Sequence, residues 1–292
     1  MIADVVFDAP LPHPFSYQIP SAWRLAPGQR VVAPLRGAAR VGMVVAVRAG
    51  EAAGLKPLAR LAEPGPVLGR EGLALADWMA AESLSSLGST CAALLPPPAA
   101  GPLPAGAPPE VPRAGPADGT PGTVEVLTGA GRERRLLERV AAAPGAALVV
   151  APDVETAARW AQRLARHGAV VRLDSGVADG ERAAAWAALA AGAARLAVGT
   201  RSALLAPLGA GGLLALVDEH EAAHKPPGPP RLHSREVILE RAAREGVHAL
   251  LTSATPSVET WSRVREGAAA VALVEPGPWP AVVLADTRGI LR

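Results

Sequence analysis

Cysteine, lysine and aromatic residues are scarce in this sequence of 292 residues, and no long apolar run is present. The single cysteine, Cys91, excludes an internal disulfide and a zinc site made of paired cysteines. No stretch reaches the roughly 18 apolar residues that span a bilayer, and no basic segment precedes an apolar one at the amino terminus. We therefore expect a cytoplasmic protein that is neither secreted nor inserted in a membrane.

A strong excess of charge of one sign is also missing. The 29 basic and 27 acidic residues leave a formal net charge of +2, which excludes a polybasic tail that binds nucleic acid through charge alone. Only Lys56 and Lys225 are lysines, and the other basic residues are arginines in a chain rich in Ala, Gly and Pro. Since this bias is typical of GC-rich coding, one arginine is weak evidence for a phosphate-binding site.

The rest of the composition is that of a globular protein. Half of the residues (50%) are hydrophobic and 19% are charged, in a chain long enough for two domains. Residues 96–122 contain ten prolines and five glycines, a composition that cannot bury a core. We therefore predict a domain at residues 1–95, a linker at 96–122 and a second domain at 123–292.

The first domain has the pattern of a small β-rich fold. Short apolar runs at 2–7, 29–33 and 41–47 are separated by proline and glycine, which predicts a compact barrel or meander. Apolar residues at partly helical spacing over 71–87 predict one amphipathic helix.

The second domain alternates helices and strands, which predicts an α/β fold with a mostly parallel sheet. The predicted helices are 132–143, 154–167, 180–192, 234–246 and 257–266, and the predicted strands are 147–151, 169–173, 194–199, 213–217 and 248–251. In such folds ligands bind at the carboxyl ends of the strands.

Three polar loops follow strands of the second domain. Asp218 and Glu219 come directly after one strand, as do the acidic residues that hold Mg²⁺ and position water in nucleoside triphosphatases. The alternative is that these side chains cap a helix. The loops 199–207 and 253–257 follow two other strands, so we expect all three loops to meet at one edge of the sheet.

These segments resemble the primosomal protein N′ (PriA) family of superfamily 2 DNA helicases, which restart stalled replication forks. The stretches that resemble its first helicase lobe are GTRSALLAPL, LVDE followed by HK, PRLHSREV and SATPSVETW. Those that resemble its DNA-binding domain, which recognises the 3′ end of the nascent leading strand, are PLPHPFSYQIP, GQRVVAPLRGAARVGMVV, LKPL and LADWMAAE. Arg182 and Trp186 also occupy positions typical of the family.

The resemblance covers most of 1–95 and 123–292. It implies a RecA-like lobe preceded by a small β-rich DNA-binding domain. It further implies that Thr200 and Arg201 contact DNA. The counterpart of helicase motif III consists of Ser253, Ala254 and Thr255.

The phosphate-binding loop departs from the family pattern G-x-T-G-S-G-K-T. Gly129 and Gly131 remain, but Val126 replaces the first glycine, Arg132 the lysine and Glu133 the magnesium-binding hydroxyl. Arginine is bulkier than lysine and forked. A glutamate carboxylate about 4 Å from a phosphate costs roughly 4 kcal/mol at an effective dielectric constant near 20. We expect Gly129, Gly131 and Arg132 to be the remnant of a nucleotide site that no longer binds ATP productively.

The acidic motif and the end of the chain differ from the family as well. Asp218-Glu219-His220 is one residue shorter than the usual D-E-E-H, so we expect Asp218 and Glu219 to be catalytic positions that are inactive here. The sequence stops at Arg292, where the first lobe of the family ends, so the second lobe and the zinc module are expected to be absent. ATP and zinc are the family's cofactors, and we expect neither to bind this chain.

The amino-terminal domain is the part in which function is expected to persist. Residues 1–60 hold seven basic and three acidic residues, an excess that attracts phosphates regardless of sequence. The resemblance implies a pocket for a terminal nucleotide at Phe15, Gly37 and Lys56, with Ser16 where the family usually has aspartate. The alternatives are a solvated basic face and aromatic residues that belong to the core.

The histidines and tryptophans carry weaker signals. His220, His224 and His233 lie near the acidic motif, but their spacing fits no pair of metal ligands on a helix, and we predict no metal site. The tryptophans on predicted helices, Trp160, Trp186 and Trp261, are predicted to be core residues.

Three hypotheses follow. The first is a replication-restart protein without helicase activity, which binds branched DNA and nascent 3′ ends through residues 1–95 and uses its lobe as a platform. Its implied partners are forked and single-stranded DNA, single-stranded DNA-binding protein and the loader of the replicative helicase. The second is the amino-terminal part of an ATP-dependent 3′-to-5′ DNA helicase. The third is a gene product without activity.

Overall fold

The computed structural model describes residues 1–98 and 121–275, together with the single residues 277 and 283. Most of the predicted linker at 96–122 therefore lies outside the described residues.

The amino-terminal domain is built on an antiparallel sheet of five strands. The strands are β1 (Ile2–Phe7), β2 (Phe15–Gln18), β3 (Gln29–Leu35), β4 (Ala38–Arg48) and β5 (Arg60–Pro66). Their order is β2-β1-β4-β3-β5, so the domain is β-rich as expected but is not a simple meander. One side of the sheet encloses a core that includes Val5, Phe7, Tyr17, Val31 and Val44.

A tight hairpin joins β3 to β4 at Arg36 and Gly37. Both residues have positive φ, 49° and 84°, which is the geometry of a two-residue turn matched to the twist of the strands. Apart from the neighbouring residues, no atom lies within 4 Å of the place where a Cβ on Gly37 would stand, so the hairpin tip faces open space.

Two helices follow the sheet, α1 (Arg70–Glu82) and α2 (Leu87–Leu94). The helix predicted over 71–87 is confirmed as α1, but it ends at Glu82, and α2 was missed. The chain breaks at Leu84, which has a φ of 53° and is 97% exposed although the helical spacing had placed it in the core. The hydroxyl of Ser86 accepts a hydrogen bond from the N–H of Ser89 and so caps α2.

The second domain is an α/β fold around a parallel sheet of seven strands, as predicted. The strands are β6 (Val124–Thr128), β7 (Ala147–Val150), β8 (Val170–Arg172), β9 (Leu196–Gly199), β10 (Leu213–Leu216), β11 (His248–Thr252) and β12 (Ala270–Leu273), and the helices are α3 (Arg132–Ala141), α4 (Val154–Leu164), α5 (Asp179–Ala190), α6 (Ser234–Glu245) and α7 (Val258–Arg265). The strand order is β12-β6-β11-β10-β7-β9-β8. All ten predicted elements are confirmed to within three residues. The short strands β6 and β12 were missed.

The two domains share one hydrophobic core. One face of the parallel sheet packs against α3 and α4, and the other packs against α5, α6 and the two helices of the amino-terminal domain. At this junction the indole N–H of Trp186 donates to the carbonyl of Val67 (3.1 Å), and the guanidinium of Arg244 lies 5.8 Å from the ring centre of Trp78. The amino-terminal domain and the second domain are therefore packed together as one unit.

The sole cysteine lies inside this core. Cys91 on α2 is 3% exposed, and burial raises the pKa of its thiol to about 12. It is thus a small apolar core residue.

No helix among residues 1–98 and 121–275 has both the length and the apolar character needed to cross a membrane.

Close packing of α2 on β1 depends on Gly88. A Cβ added there would lie 1.9 Å from the carbonyl oxygen of Phe7, whereas one added at Gly180 on α5 would have no atom within 4 Å. We expect Gly88→Ala to lower the free energy of unfolding by about 1–3 kcal/mol. Gly180→Ala, the matched control, should be neutral or stabilising by about 0.5–1 kcal/mol. Urea denaturation measures both, and equal stabilities would refute this packing.

The start of α6 makes the stability of the protein depend on pH. The Nδ1 atom of His233 accepts a hydrogen bond from the N–H of Arg235 (3.1 Å), which requires that nitrogen to be unprotonated. Burial lowers the pKa of His233 from 6.5 to about 4, and Arg235 and His224 lower it further in the same direction. Between these values the unfolded chain binds a proton that the folded chain does not, so stability is lost as the pH falls.

We expect the melting temperature to drop by a few degrees between about pH 7 and pH 5. The change His233→Asn keeps a capping side chain without an ionisable ring, and should flatten this dependence. The control His167→Asn, at an exposed position, should keep the dependence of the wild type. Calorimetric scans across this range that show the same slope for wild type and His233→Asn would contradict the assignment.

Candidate functional site

The polar loops of the second domain meet at one edge of the parallel sheet, as predicted, because all of its strands run in the same direction. The N–H of Asp218 donates to Oγ1 of Thr252 (3.0 Å). The hydroxyl of Ser253 lies 2.7 Å from Nδ1 of His220. The acidic motif after β10 and the segment after β11 are therefore joined by hydrogen bonds. Of the predicted motif III residues, Ser253 is buried, whereas Ala254 and Thr255 are exposed.

The loop after β6 has its backbone donors bound by the chain itself. The N–H of Ala130 donates to the carbonyl of Glu275 (2.9 Å), and that of Gly131 to the carbonyl of Val274 (3.0 Å). Gly129 has a φ of 93°, and a Cβ there would lie 2.3 Å from the carbonyl oxygen of Val274. In a phosphate-binding loop, amides of this kind point at the phosphate. Here they point at the segment that follows β12.

Arg132 links this loop to the acidic motif. Its Nη1 donates to the carbonyl of Gly129 (3.2 Å), and its Nη2 lies 3.5 Å from Oδ1 of Asp218. The side chain of Arg132 is 20% exposed and that of Asp218 is 26% exposed, so both are largely buried. The guanidinium therefore fills the space between the two groups that would hold a phosphate and its magnesium ion.

Glu133 turns away from the loop. Its carboxylate accepts from Nη1 of Arg163 (2.6 Å), and that guanidinium also lies 4.4 Å from the ring centre of Trp160. From the sequence we assumed that this carboxylate would lie close to a bound phosphate. In the structure it forms an ion pair with Arg163 of α4 instead. A cavity of about 410 Å³ opens beside this pair and extends to Asp218.

Glu219 is fully buried in a network with Arg235 and Ser257. Its carboxylate accepts from the N–H of Ser257 (2.7 Å), the hydroxyl of Ser257 (2.9 Å) and Nη1 of Arg235 (2.8 Å). Burial raises the pKa of Glu219, but these hydrogen bonds outweigh burial and hold the pKa below its usual value. The carboxylate is thus an ionised structural group. Arg235 lies within the stretch PRLHSREV, but its buried ion pair with Glu219 was not predicted from the sequence.

The histidines near the acidic motif have structural partners. His224 is buried, and its Nε2 lies 2.8 Å from the carbonyl of Val217. Within the described ranges 1–98 and 121–275, no three His, Cys, Asp or Glu side chains are grouped so as to hold a metal ion.

The predicted DNA-contacting residues of the lobe, Thr200 and Arg201, lie after β9 at the same sheet edge. Arg201 forms no ion pair with a described residue, and its Nη1 is buried without a hydrogen-bond partner among them. Burial lowers the pKa of Arg201, yet guanidinium remains charged at neutral pH. This arrangement leaves a cation available at the edge of the sheet.

The prediction that all three helical tryptophans are core residues was partly wrong. Trp160 and Trp186 are 3% and 4% exposed, but Trp261 on α7 is 47% exposed. Val258 on the same helix is 83% exposed, and Thr260 is the buried residue of α7.

In the amino-terminal domain, Phe15 and Ser16 lie on opposite faces of β2. The ring of Phe15 packs edge-on against Phe7 with centroids 6.2 Å apart and is 39% exposed. Tyr17 lies on the same face, and its hydroxyl donates to the carbonyl of Pro34 (2.9 Å) near the β3–β4 hairpin. Tyr17 is therefore a core residue, as the alternative interpretation held, whereas Phe15 stays exposed beside the core.

On the outer face, Ser16 belongs to a network with Asp4 and Arg48. The Ser16 hydroxyl donates to Oδ1 of Asp4 (2.7 Å), and Arg48 donates to Oδ2 of Asp4 through Nε (3.0 Å). The hydrogen bonds from Arg48 hold the pKa of Asp4 below its usual value. Neither Asp4 nor Arg48 was selected from the sequence, because the three residues come from separate strands.

Lys56 belongs to a short segment that is hydrogen-bonded to the outer edge of β2. Its carbonyl accepts from the N–H of Gln18 (3.0 Å), and the N–H of Leu58 donates back to Gln18 (3.0 Å). Lys56 is exposed, as is Gly37 at the hairpin tip. Lys56 is thus hydrogen-bonded to Gln18, which lies two residues after Ser16 on β2.

Comparison with known proteins finds a matching family model and several similar curated proteins. Residues 4–96 match the family model described as the 3′ DNA-binding domain of PriA. Replication restart protein PriA of Bacillus subtilis is 32% identical over 146 residues, which cover 48% of this chain and 18% of that protein. PriA of Synechocystis is 33% identical over 156 residues, covering 50% and 19%. The probable PriA of Mycobacterium tuberculosis is 34% identical over 115 residues, covering 39% and 18%.

The similarity to solved structures is more distant. RecG bound to a three-way DNA junction has a TM-score of 0.39 at 14% identity and covers 56% of this chain and 22% of that chain. The carboxyl-terminal domain of S. cerevisiae Dbp5, bound to Gle1 and IP6, has a TM-score of 0.37 at 14% identity, covering 55% and 93%. At these scores neither similarity bears on function.

The aligned segments span about a fifth of the length of the curated relatives. All of the antiparallel amino-terminal sheet except the first two residues of β1 falls within the matched residues 4–96, and the relatives from several bacteria carry the same name. The chain is therefore similar to the replication restart protein PriA over about half of its length, and its residues 4–96 match the 3′ DNA-binding domain of PriA.

Proposed function

We propose that this chain acts in replication restart by binding branched DNA and nascent 3′ ends through its amino-terminal domain, without unwinding DNA at the expense of ATP. The observation that carries the proposal is the match of residues 4–96 to PriA 3′ DNA-binding domains. Single-stranded DNA-binding protein and a loader of the replicative helicase are the protein partners proposed.

The distribution of charge on the amino-terminal domain supports DNA binding. Among the seven basic residues of positions 1–60, Arg30 is buried and paired with Glu63. The other six are exposed: Arg24, Arg36, Arg40, Arg48, Lys56 and Arg60. Arg36 adjoins Gly37 in the β3–β4 hairpin, and Arg40 lies three positions after Gly37 on β4. Lys56 adjoins β2. Exposed cations of this kind attract DNA phosphates regardless of base sequence.

The geometry of the lobe supports a role as a platform. The donors that a triphosphate requires are bonded to Val274 and Glu275, and Arg132 is paired with Asp218. Glu219 is paired with Arg235 instead of being free to orient water. These residues do not fit a nucleotide and its magnesium ion, so the proposed activity involves no step of phosphoryl transfer.

Recognition of a 3′ end is tested by fluorescence anisotropy with two forks at a stated salt concentration. One fork carries a leading strand whose 3′ end lies at the branch, and the other lacks that strand. We expect the chain to bind the first fork several-fold more tightly, because a terminal pocket adds contacts to general phosphate attraction.

The variant Lys56→Ala should lose this preference and reduce the dependence of binding on salt by about one ion. The variant Lys225→Ala removes the other lysine, in the lobe, and should keep the preference for the 3′ end. If both forks bind equally and both variants weaken them alike, only general attraction to phosphates remains.

Absence of a nucleotide site is tested by thermal denaturation with millimolar Mg-ATP. A ligand that binds the folded state raises its stability by RT ln(1 + [L]/Kd). We expect no shift in melting temperature for the wild type, and the same result for Asp218→Ala. A saturable shift that Asp218→Ala abolishes would instead favour the amino-terminal part of an ATP-dependent helicase.

A further inference from the structure

Val274 and Glu275, which follow β12, form a strap over the loop that follows β6. The N–H of Gly131 donates to the carbonyl of Val274 (3.0 Å), and the N–H of Ala130 donates to the carbonyl of Glu275 (2.9 Å). Gly277 lies beside the same loop, since a Cβ built on it would be 3.6 Å from the Cβ of Ala130. Carbonyl oxygens of the strap thus occupy two amide donors at the start of α3.

The backbone of the strap is strained at Glu275. Its φ of 48° lies in the left-handed region, which a residue with a long side chain rarely adopts. Pro276 follows it in the sequence, and a residue before proline prefers an extended backbone. The loop amide and an ion pair with Arg134 hold Glu275 in this conformation. Strained residues that neighbouring contacts hold in place are typical of segments that switch between two conformations.

Without the strap, the start of α3 has the donors of an anion site. The amides of Ala130 and Gly131 belong to a loop that leads directly into a helix of ten residues. Arg132 adds a guanidinium in the first turn of that helix. Loop amides at the amino terminus of a helix bind phosphate groups in other proteins. The strap therefore supplies carbonyl oxygens where a phosphate would supply its own.

We propose that the strap is an autoinhibitory contact, in which the carbonyls of Val274 and Glu275 close an anion site at the start of α3 against phosphate groups. The inference goes beyond the proposed function, because binding of forked DNA by residues 1–95 does not require it. It assigns the exclusion of phosphate to the closed strap and not to the side chains at positions 132 and 133. Arginine itself binds phosphate, and the carboxylate of Glu133 is paired with Arg163 (2.6 Å).

Two substitutions of Glu275 separate an open strap from a closed one. Glu275→Pro fixes φ at roughly −65°, which is incompatible with the closed strap. Glu275→Gly retains the positive φ and relieves its strain. Both variants lose the ion pair with Arg134, so the comparison between them isolates the conformation of the backbone.

Thermal denaturation with pyrophosphate in the absence of magnesium measures binding to the site. We expect Glu275→Pro to gain a saturable rise in melting temperature of roughly 2–4 °C at about ten times the dissociation constant. The wild type and Glu275→Gly should show no saturable rise. Sodium chloride at equal ionic strength corrects for general effects of salt.

Hydrogen exchange reports on the strap itself. The amides of Ala130 and Gly131 should exchange slowly in the wild type and in Glu275→Gly, and roughly tenfold faster in Glu275→Pro. Rapid exchange of both amides in the wild type overturns the inference without any variant. Slow exchange in Glu275→Pro overturns it too, as does rapid exchange in this variant without binding of pyrophosphate.

The preference for the fork with a 3′ end should be the same in all three proteins, because the strap lies in the second domain. A wild type without this preference refutes the proposed function and leaves the result for the strap unaffected. Conversely, a wild type that binds pyrophosphate as tightly as Glu275→Pro refutes the strap and leaves the preference for the 3′ end in place.

Discussion

The apolar core that joins the two sheets is the constraint on which the rest of the structure depends. Leu75 and Met79 of α1 and Leu94 of α2 are at most 1% exposed, and they pack in the same cluster as Trp186 and Ile238 of the lobe. Each such side chain contributes about 1.5–3 kcal/mol when it is fully buried. Neither the antiparallel sheet nor the lobe could separate from the other without exposing this surface. The hairpin and the edge of the parallel sheet are therefore held at a fixed distance from each other.

At the edge of the parallel sheet where ligands usually bind, the second domain itself pairs the loop amides and the Glu219 carboxylate. Buried donors and acceptors in folded proteins have partners, and in a nucleotide-binding site the ligand supplies many of them. Here the carbonyls of Val274 and Glu275 serve the loop amides, and Arg235 serves Glu219. The guanidinium of Arg132 is long enough to reach Asp218. The same topology is thereby stabilised without a ligand.

Sequence patterns predicted the elements of the lobe well because its strands are apolar on both faces and its helices carry clear apolar stripes. They failed where a local feature overrode the pattern. Leu84 continued the apolar spacing of α1, but the chain turns there, and the hydroxyl of Ser83 closes that turn by donating to the carbonyl of Met79 (2.5 Å). Strand β6 was missed because its residues were compared with the phosphate-binding loop. The exposure of Trp261 was missed because amphipathic spacing does not show which face of a helix is packed against the rest of the protein.

The candidate site was predicted in part. Asp218 and Ser253 come together because parallel strands end at one edge, which topology alone implies. The partners of Ser16 could not be predicted in this way, since Asp4 and Arg48 are 44 positions apart and meet only through the register of β1 with β2 and β4. The same holds for Glu219 and Arg235, whose pairing depends on how α6 approaches the end of β10.

The single cysteine, Cys91, is buried, so the surface of the folded protein offers no reactive thiol. A thiol with a pKa of about 12 is almost wholly protonated at neutral pH, and the Cys91 side chain is 3% exposed. Maleimide dyes and spin labels would therefore leave the native chain unmodified. A cysteine introduced at an exposed position such as Ala38, beside the β3–β4 hairpin, becomes a unique attachment point for a reporter of the distance between that hairpin and a bound DNA end.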